Sequence, residues 1–79
     1  MSKLINIGFG NMVNSEKILA IINPDSAPAK RIVQKSKEKE TIIDATQGRR
    51  TKSIIITDTN SIILSALLSD TIAGRIEES

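Results

Sequence analysis

Residues 41–67 read TIIDATQGRRTKSIIITDTNSIILSAL, and the reading of this stretch decides the fold. Three runs rich in β-branched residues, Thr41 to Thr46, Thr51 to Thr57 and Ser61 to Leu67, are separated by two segments of turn chemistry. Gln47-Gly48-Arg49-Arg50 fills the first and Asp58-Thr59-Asn60 the second. Short apolar runs bounded by Gly, Asn and Asp are the signature of strands joined by tight turns, so the stretch predicts a three-stranded antiparallel meander. Ile42-Ile43, Ile54-Ile55-Ile56 and Ile62-Ile63-Leu64 are continuous rather than alternating. Successive side chains of a strand point to opposite faces, so both faces of this sheet are apolar and both require cover.

Working outward, Lys3 to Ile7 reads as a strand that stops at Gly8-Phe9-Gly10-Asn11, and Lys17 to Ile22 as a strand that stops at Asn23-Pro24. Ser26 is placed to cap a helix that carries Pro28 in its first turn and runs to about Lys39. Ala29, Ile32, Val33 and Ser36 form its narrow inner face. A short final helix begins near Ser69 or Asp70 and presents Ile72, Ala73 and Ile76. The expected class is α+β, a small and mainly antiparallel sheet of four to five strands with one longer and one short C-terminal helix, all in one domain over residues 1–79. Two short helices are too little to shield two sheet faces, which predicts that a second copy covers one of them.

Composition narrows the chemistry. The chain has 79 residues, no cysteine and no histidine. A chain of this size buries only about 60% of its unfolded surface, so its core is thin, and no disulfide reinforces it. Without His and Cys, the common nucleophile systems and the usual transition-metal ligands are missing, so neither an enzyme nor a cofactor nor a small-molecule substrate is expected. Asp25, Asp44 and Asp58 fall at turns or strand ends, where aspartate usually bonds local backbone. INIGFGN, residues 5–11, lacks the third glycine of a dinucleotide fingerprint and the lysine of a P-loop. It reads as a turn whose glycines supply positive φ, with Phe9, the single aromatic residue, filling the core. The start of the chain does not read as a signal peptide and no run approaches about 18 apolar residues, so a soluble, cytoplasmic protein without a membrane partner is expected.

Charge distribution says more than the net +2. Lys30, Arg31, Lys35, Lys37 and Lys39 are accompanied by Glu38 and Glu40, the pattern of an ordinary solvated helix face. Between Asp44 and Asp58, by contrast, there is no acid, and Arg49, Arg50 and Lys52 fall in that gap. A turn that projects arginines suits forked bonding to phosphate oxygens or guanine edges; it equally suits a solubilising surface loop. One aromatic residue is no stacking platform for splayed bases, so the nucleic-acid version of the reading is duplex binding.

The blocks INIGFGN (5–11), NPDSAPAKRIVQ (23–34), IDATQGRRTKS (43–53) and IILSAL (62–67) resemble the RemA family of bacterial extracellular-matrix (biofilm) regulators across nearly the whole chain. The resemblance implies a duplex-DNA-binding transcriptional regulator with a fold related to the LytTR domain. It further implies subunits that assemble as a homo-oligomeric ring, of about seven or eight copies, around which DNA wraps. It assigns DNA binding to Arg49 and Arg50, with Lys17 at a third position where relatives carry arginine; Lys52, at the start of the following strand, joins them from the same acid-free gap. Gln47 stands where some relatives have an aromatic residue. The competing expectation is a structural or protein-interaction ring subunit whose arginines pair with Asp44, Glu77 or Glu78 of an adjacent copy.

Overall fold

The computed structural model describes residues 3–78. In chain order the elements are β1 (Leu4–Asn6), β2 (Met12–Asn14), a single 3-10 turn (Ser15–Lys17), β3 (Ile18–Ile22), α1 (Ala27–Glu38), β4 (Ile42–Asp44), β5 (Ser53–Thr57), β6 (Ile62–Ser65) and α2 (Ser69–Glu78). β1 and β2 form a separate two-stranded hairpin, and the other strands form one four-stranded sheet in the order β3-β5-β6-β4. The class is α+β, as expected, but β2 was not anticipated, and α2, at ten residues, nearly equals the twelve of α1.

The predicted meander is half right. β5 and β6 pair as an antiparallel hairpin, with Ile54 opposite Leu64 and Ile55 opposite Ile63. β4 does not pair with β5. It lies on the other side of β6 and runs parallel to it, with Ile42 opposite Ile62 and Ile43 opposite Ile63. β3 takes the remaining edge of β5, antiparallel. The connector after β4 explains the difference. Ala45 N–H donates to the Leu64 carbonyl at 2.9 Å and Lys52 N–H to the Ser65 carbonyl at 2.8 Å. Successive strand carbonyls point to opposite sides, so the connector straddles the end of β6 rather than folding straight back. Burial of Ala45 and Thr46 anchors that crossing.

α1 follows the sequence closely. Ser26 Oγ accepts from Ala29 N–H at 3.2 Å, and Pro28 sits in the first turn. Bonds from Glu40 N–H to the Lys37 carbonyl and from Thr41 N–H to the Ser36 carbonyl, with Glu40 at φ 56°, close the other end as a Schellman motif. Ala29 and Ser36 are buried, with Ile32 and Val33 partly so. Together they cover one sheet face of Ile54 and Ile62, flanked by Ile22, Ile56 and Leu64.

The opposite face, built on Ile55 and Ile63, is covered by Ile5 and Ile7 and by Ile72 of α2, with Val13 and Ile76 packed against them. Ala73, expected on the inner face of α2, is exposed. The centre of each face is thus covered from within the chain, because the β1–β2 hairpin joins α2 as a second lid. Among the described residues no wholly open sheet face of the kind expected to receive a second copy is present; the exposed apolar side chain on the Ile63 face, Ile43, sits on the edge strand β4.

Asp44 ends β4. Its Oδ1 accepts from the Thr46 hydroxyl at 2.6 Å and from Thr46 N–H at 2.9 Å. The hydroxyl bond first, then the N–H bond, and the nearby positive charge of Lys37 hold this carboxyl below its ordinary value of 3.8. A depressed folded-state pKa adds stability that is fully present above the unfolded value and is lost as pH falls through the folded one. In thermal melts at pH 7, Asp44→Asn therefore melts below the parent, and the gap closes as pH falls below the ordinary carboxyl value of 3.8. Ile55, fully buried at the centre of the sheet, sets the second expectation. Ile55→Ala lowers unfolding free energy by about 2 to 5 kcal/mol in urea titration, enough to populate unfolded chain at room temperature in so small a domain.

Candidate nucleic-acid interface

Two tight turns build the basic site. In the first, Arg49 N–H donates to the Thr46 carbonyl at 3.0 Å, with Gln47 at φ 52° and Gly48 at φ 79° between them. Positive φ at both central residues marks a type I′ turn. In the second, Asn11 N–H donates to the Gly8 carbonyl at 3.0 Å, with Phe9 at φ 55° and Gly10 at φ 78°. The same geometry recurs, so two I′ turns stand at one end of the molecule. Between them lies a hollow of about 460 Å³ lined by Gly8, Phe9, Arg49, Arg50, Lys52, Ala66 and Leu67.

Arg49, Arg50 and Lys52 are all exposed. Among the described residues none of the three has a carboxylate within ion-pair distance, the one ion pair being Lys17 with Asp58. Asp44, the nearest acid in sequence, is occupied by Thr46. In space the patch is less purely basic than in sequence. Asp25 lines an adjoining hollow of about 240 Å³ with Arg50 and Lys52.

Lys17 stands apart. Its carbonyl accepts from Asp58 N–H at 2.9 Å, and its ammonium lies 3.6 Å from the Asp58 carboxylate. Asp58 follows the last residue of β5, whereas Arg50 and Lys52 precede its first. The five residues of β5, roughly 16 Å of strand, separate Lys17 from the arginines. Within one chain the structure brings Arg49, Arg50 and Lys52 together and leaves Lys17 at the other end of the sheet.

The helix cations are exposed, as an ordinary solvated face would be. Lys30 and Lys37 rim a further hollow of about 550 Å³ between α1 and the sheet, floored by Val33, Ile54 and Leu64. Glu77 and Glu78 lie exposed at the end of α2. Among the described residues, no group of three His, Cys, Asp or Glu side chains could hold a metal, and no helix is long and apolar enough to cross a membrane.

One site residue escaped the sequence reading. Phe9 does not fill the core; it is 48% exposed and forms a wall of the basic hollow. The signal that places it there is the pair of flanking glycines, which mark a turn tip rather than a buried bend.

Comparison with known proteins places the chain in a family. The profile of the RemA-like family, extracellular matrix regulatory protein A-like, matches residues 4–76. A protein of Caldicellulosiruptor saccharolyticus is 55% identical over 76 residues, covering 96% of this chain and 75% of its own. One of Brevibacillus brevis is 53% identical over 74 residues, 94% of this chain and 86% of its own. A third, from Geobacillus thermodenitrificans, is 53% identical over 76 residues, 96% and 87% respectively. Each is named in general terms as a regulatory protein. With its whole ordered sheet and both turns inside the matched span, this chain belongs to the RemA-like family of regulatory proteins.

Proposed function

We propose that the chain is a cytoplasmic transcriptional regulator of extracellular-matrix genes that binds duplex DNA as a ring-shaped homo-oligomer around which the duplex wraps. The single observation that carries this reading is the pair of guanidinium groups of Arg49, the last residue of a hydrogen-bonded I′ turn, and Arg50, directly after it, neither with a carboxylate within ion-pair distance among the described residues. Arginines so placed meet phosphate oxygens or groove edges with little ordering cost, because the turn already fixes their backbone. Lys52 adds a third cation to the same contact. Lys17 serves a separate one, on another stretch of the duplex or beside the arginines of an adjacent copy. The LytTR relation belongs to the same reading.

The oligomer rests on the sheet edges rather than on an open face. β3 and β4 are the two outer strands, and each exposes a large apolar side chain, Leu19 at 67% and Ile43 at 51%. Isolated proteins usually guard free edges with charge, proline or a bulge. The β3 edge carries an irregularity at Leu19, and β4 is guarded only by its short length and the charge of Asp44 at its end. A single copy also offers too few cations for tight binding at physiological salt, whereas an array of identical turns engages successive phosphates together.

Titration of a labelled duplex of about 40 base pairs, followed by fluorescence anisotropy at two salt concentrations, tests the reading. The parent binds, and weakens steeply with salt. Arg49→Ala/Arg50→Ala binds at least roughly tenfold more weakly with a shallower salt dependence, each lost phosphate contact removing about 0.9 from the slope. Light scattering finds its mass unchanged. Dissociation of the particle by the double substitution, with DNA affinity intact per assembled ring, would instead make the arginines subunit-bridging groups.

A further inference from the structure

The structure points to one residue outside the basic set. We propose that Phe9 is a DNA-contact residue, packing its ring against the apolar sugar or base edge of the strand whose phosphates Arg49, Arg50 and Lys52 hold. The inference rests on the duplex-binding reading above and extends it from charge to shape.

A lone exposed apolar side chain ordinarily needs no explanation. Phe9 differs in three ways. It occupies the first central position of a type I′ turn, at φ 55°, where glycine, asparagine and aspartate are favoured and a bulky residue is strained. The surrounding contacts hold the turn in place regardless. Gly8 N–H donates to Asn6 Oδ1 at 2.7 Å, Asn11 Nδ2 donates to the Gly8 carbonyl at 3.0 Å, and Ile7 N–H donates to the Asn11 carbonyl at 2.9 Å. Strain that the neighbouring structure over-determines is a feature of functional sites.

The second difference is location. Phe9 shares the hollow of about 460 Å³ with Arg49, Arg50 and Lys52. That hollow has a cationic wall and an apolar wall, the latter made by Phe9 with Ala66 and Leu67. A pocket for free phosphate has no use for the apolar wall. A nucleic-acid strand presents both characters side by side, anionic phosphate next to apolar sugar and base, and minor-groove proteins set apolar side chains, Phe among them, against the bases. The third difference is solitude. As the one aromatic residue of the chain, Phe9 cannot form a stacking platform alone, which fits a single wedge or buttress against duplex rather than a reader of splayed bases.

The test uses Phe9→Asn and Phe9→Leu beside the parent and the double arginine variant in the same two-salt titration. Asparagine followed by Gly10 is the preferred I′ pair, so Phe9→Asn keeps the fold and its melting temperature does not fall. Its affinity is expected to drop roughly five- to tenfold with the salt slope unchanged, since an apolar contact releases no counterions. Phe9→Leu, retaining apolar bulk, recovers most of the binding. Parent-like affinity of Phe9→Asn would overturn the proposal while leaving the arginine site standing. A fall in particle mass on light scattering would also overturn it, by assigning Phe9 to a contact between copies. A parent that binds no duplex would remove the function reading itself, an outcome distinct from both.

Discussion

The rest of the structure depends on the pairing of β5 with β6. Ile54 faces Leu64 and Ile55 faces Ile63 in that hairpin, and because adjacent residues alternate in direction, this one pair of strands seeds two cores at once. Ile54 and Ile62 receive α1 on one side; Ile55 and Ile63 receive the β1–β2 hairpin and α2 on the other. A chain of 79 residues would struggle to support a sheet wet on one face and short of apolar area on the other. Sandwiching a small sheet between two thin lids lets every central isoleucine count. It also explains why the sheet centre is almost wholly isoleucine, a stiff β-branched residue that suits a pleated surface buried on both sides.

The same hairpin places the charged end. The connector from β4 to β5 is tied to β6 on both of its sides, through the Leu64 and Ser65 carbonyls, so the Gln47-Gly48 turn has little freedom to swing. Ser65 also reaches the other turn, its hydroxyl donating to the Ile7 carbonyl at 2.8 Å just before Gly8. One strand end thereby fixes both I′ turns relative to each other. Asp44 completes the arrangement by directing its carboxylate to Thr46, so it does not pair with the arginines, and Asp25, in the adjoining hollow with Arg50, is the acid that shares their surroundings. Rigid backbone and cations free of ion pairs are separate properties, and here one short segment produces both.

Much of this was legible in the residues. The Ser26 cap, the inner face of α1, the β5–β6 hairpin and the local role of Asp44 all follow from short-range chemistry, which sequence expresses directly. Three things did not. The parallel placement of β4 depends on a long-range choice between two edges of β5 and β6, and a run such as Ile42-Ile43 contains nothing to distinguish them. β2 escaped because Met12-Val13-Asn14 is three residues long and has no pattern of its own; it exists as the partner of β1. Phe9 was misplaced because aromatic residues are usually interior, a tendency overruled by the turn geometry of Gly8 and Gly10. The basic site was legible as a charge gap, but whether Lys17 joins it is a question of which end of β5 each loop reaches.

That last point changes how the cations act. Arg49, Arg50 and Lys52 line one hollow, while Lys17 shares its end of the sheet with Asp58, 3.6 Å from its ammonium. An exposed pair of this kind is worth little to stability, yet the carboxylate offsets part of the lysine's charge, so Lys17 alone is a weak electrostatic anchor. Its value rises if a second copy sets an arginine turn beside it, because the summed potential of clustered cations then outweighs one carboxylate. The exposed apolar residues of the two edge strands, Leu19 beside the Lys17 end of β3 and Ile43 on β4, supply the sort of surface on which such neighbours would meet. Assembly and charge are in this sense linked: the fold splits its cations between the two ends of a short strand, and under the proposed ring it is repetition of the subunit that would join them into one basic track.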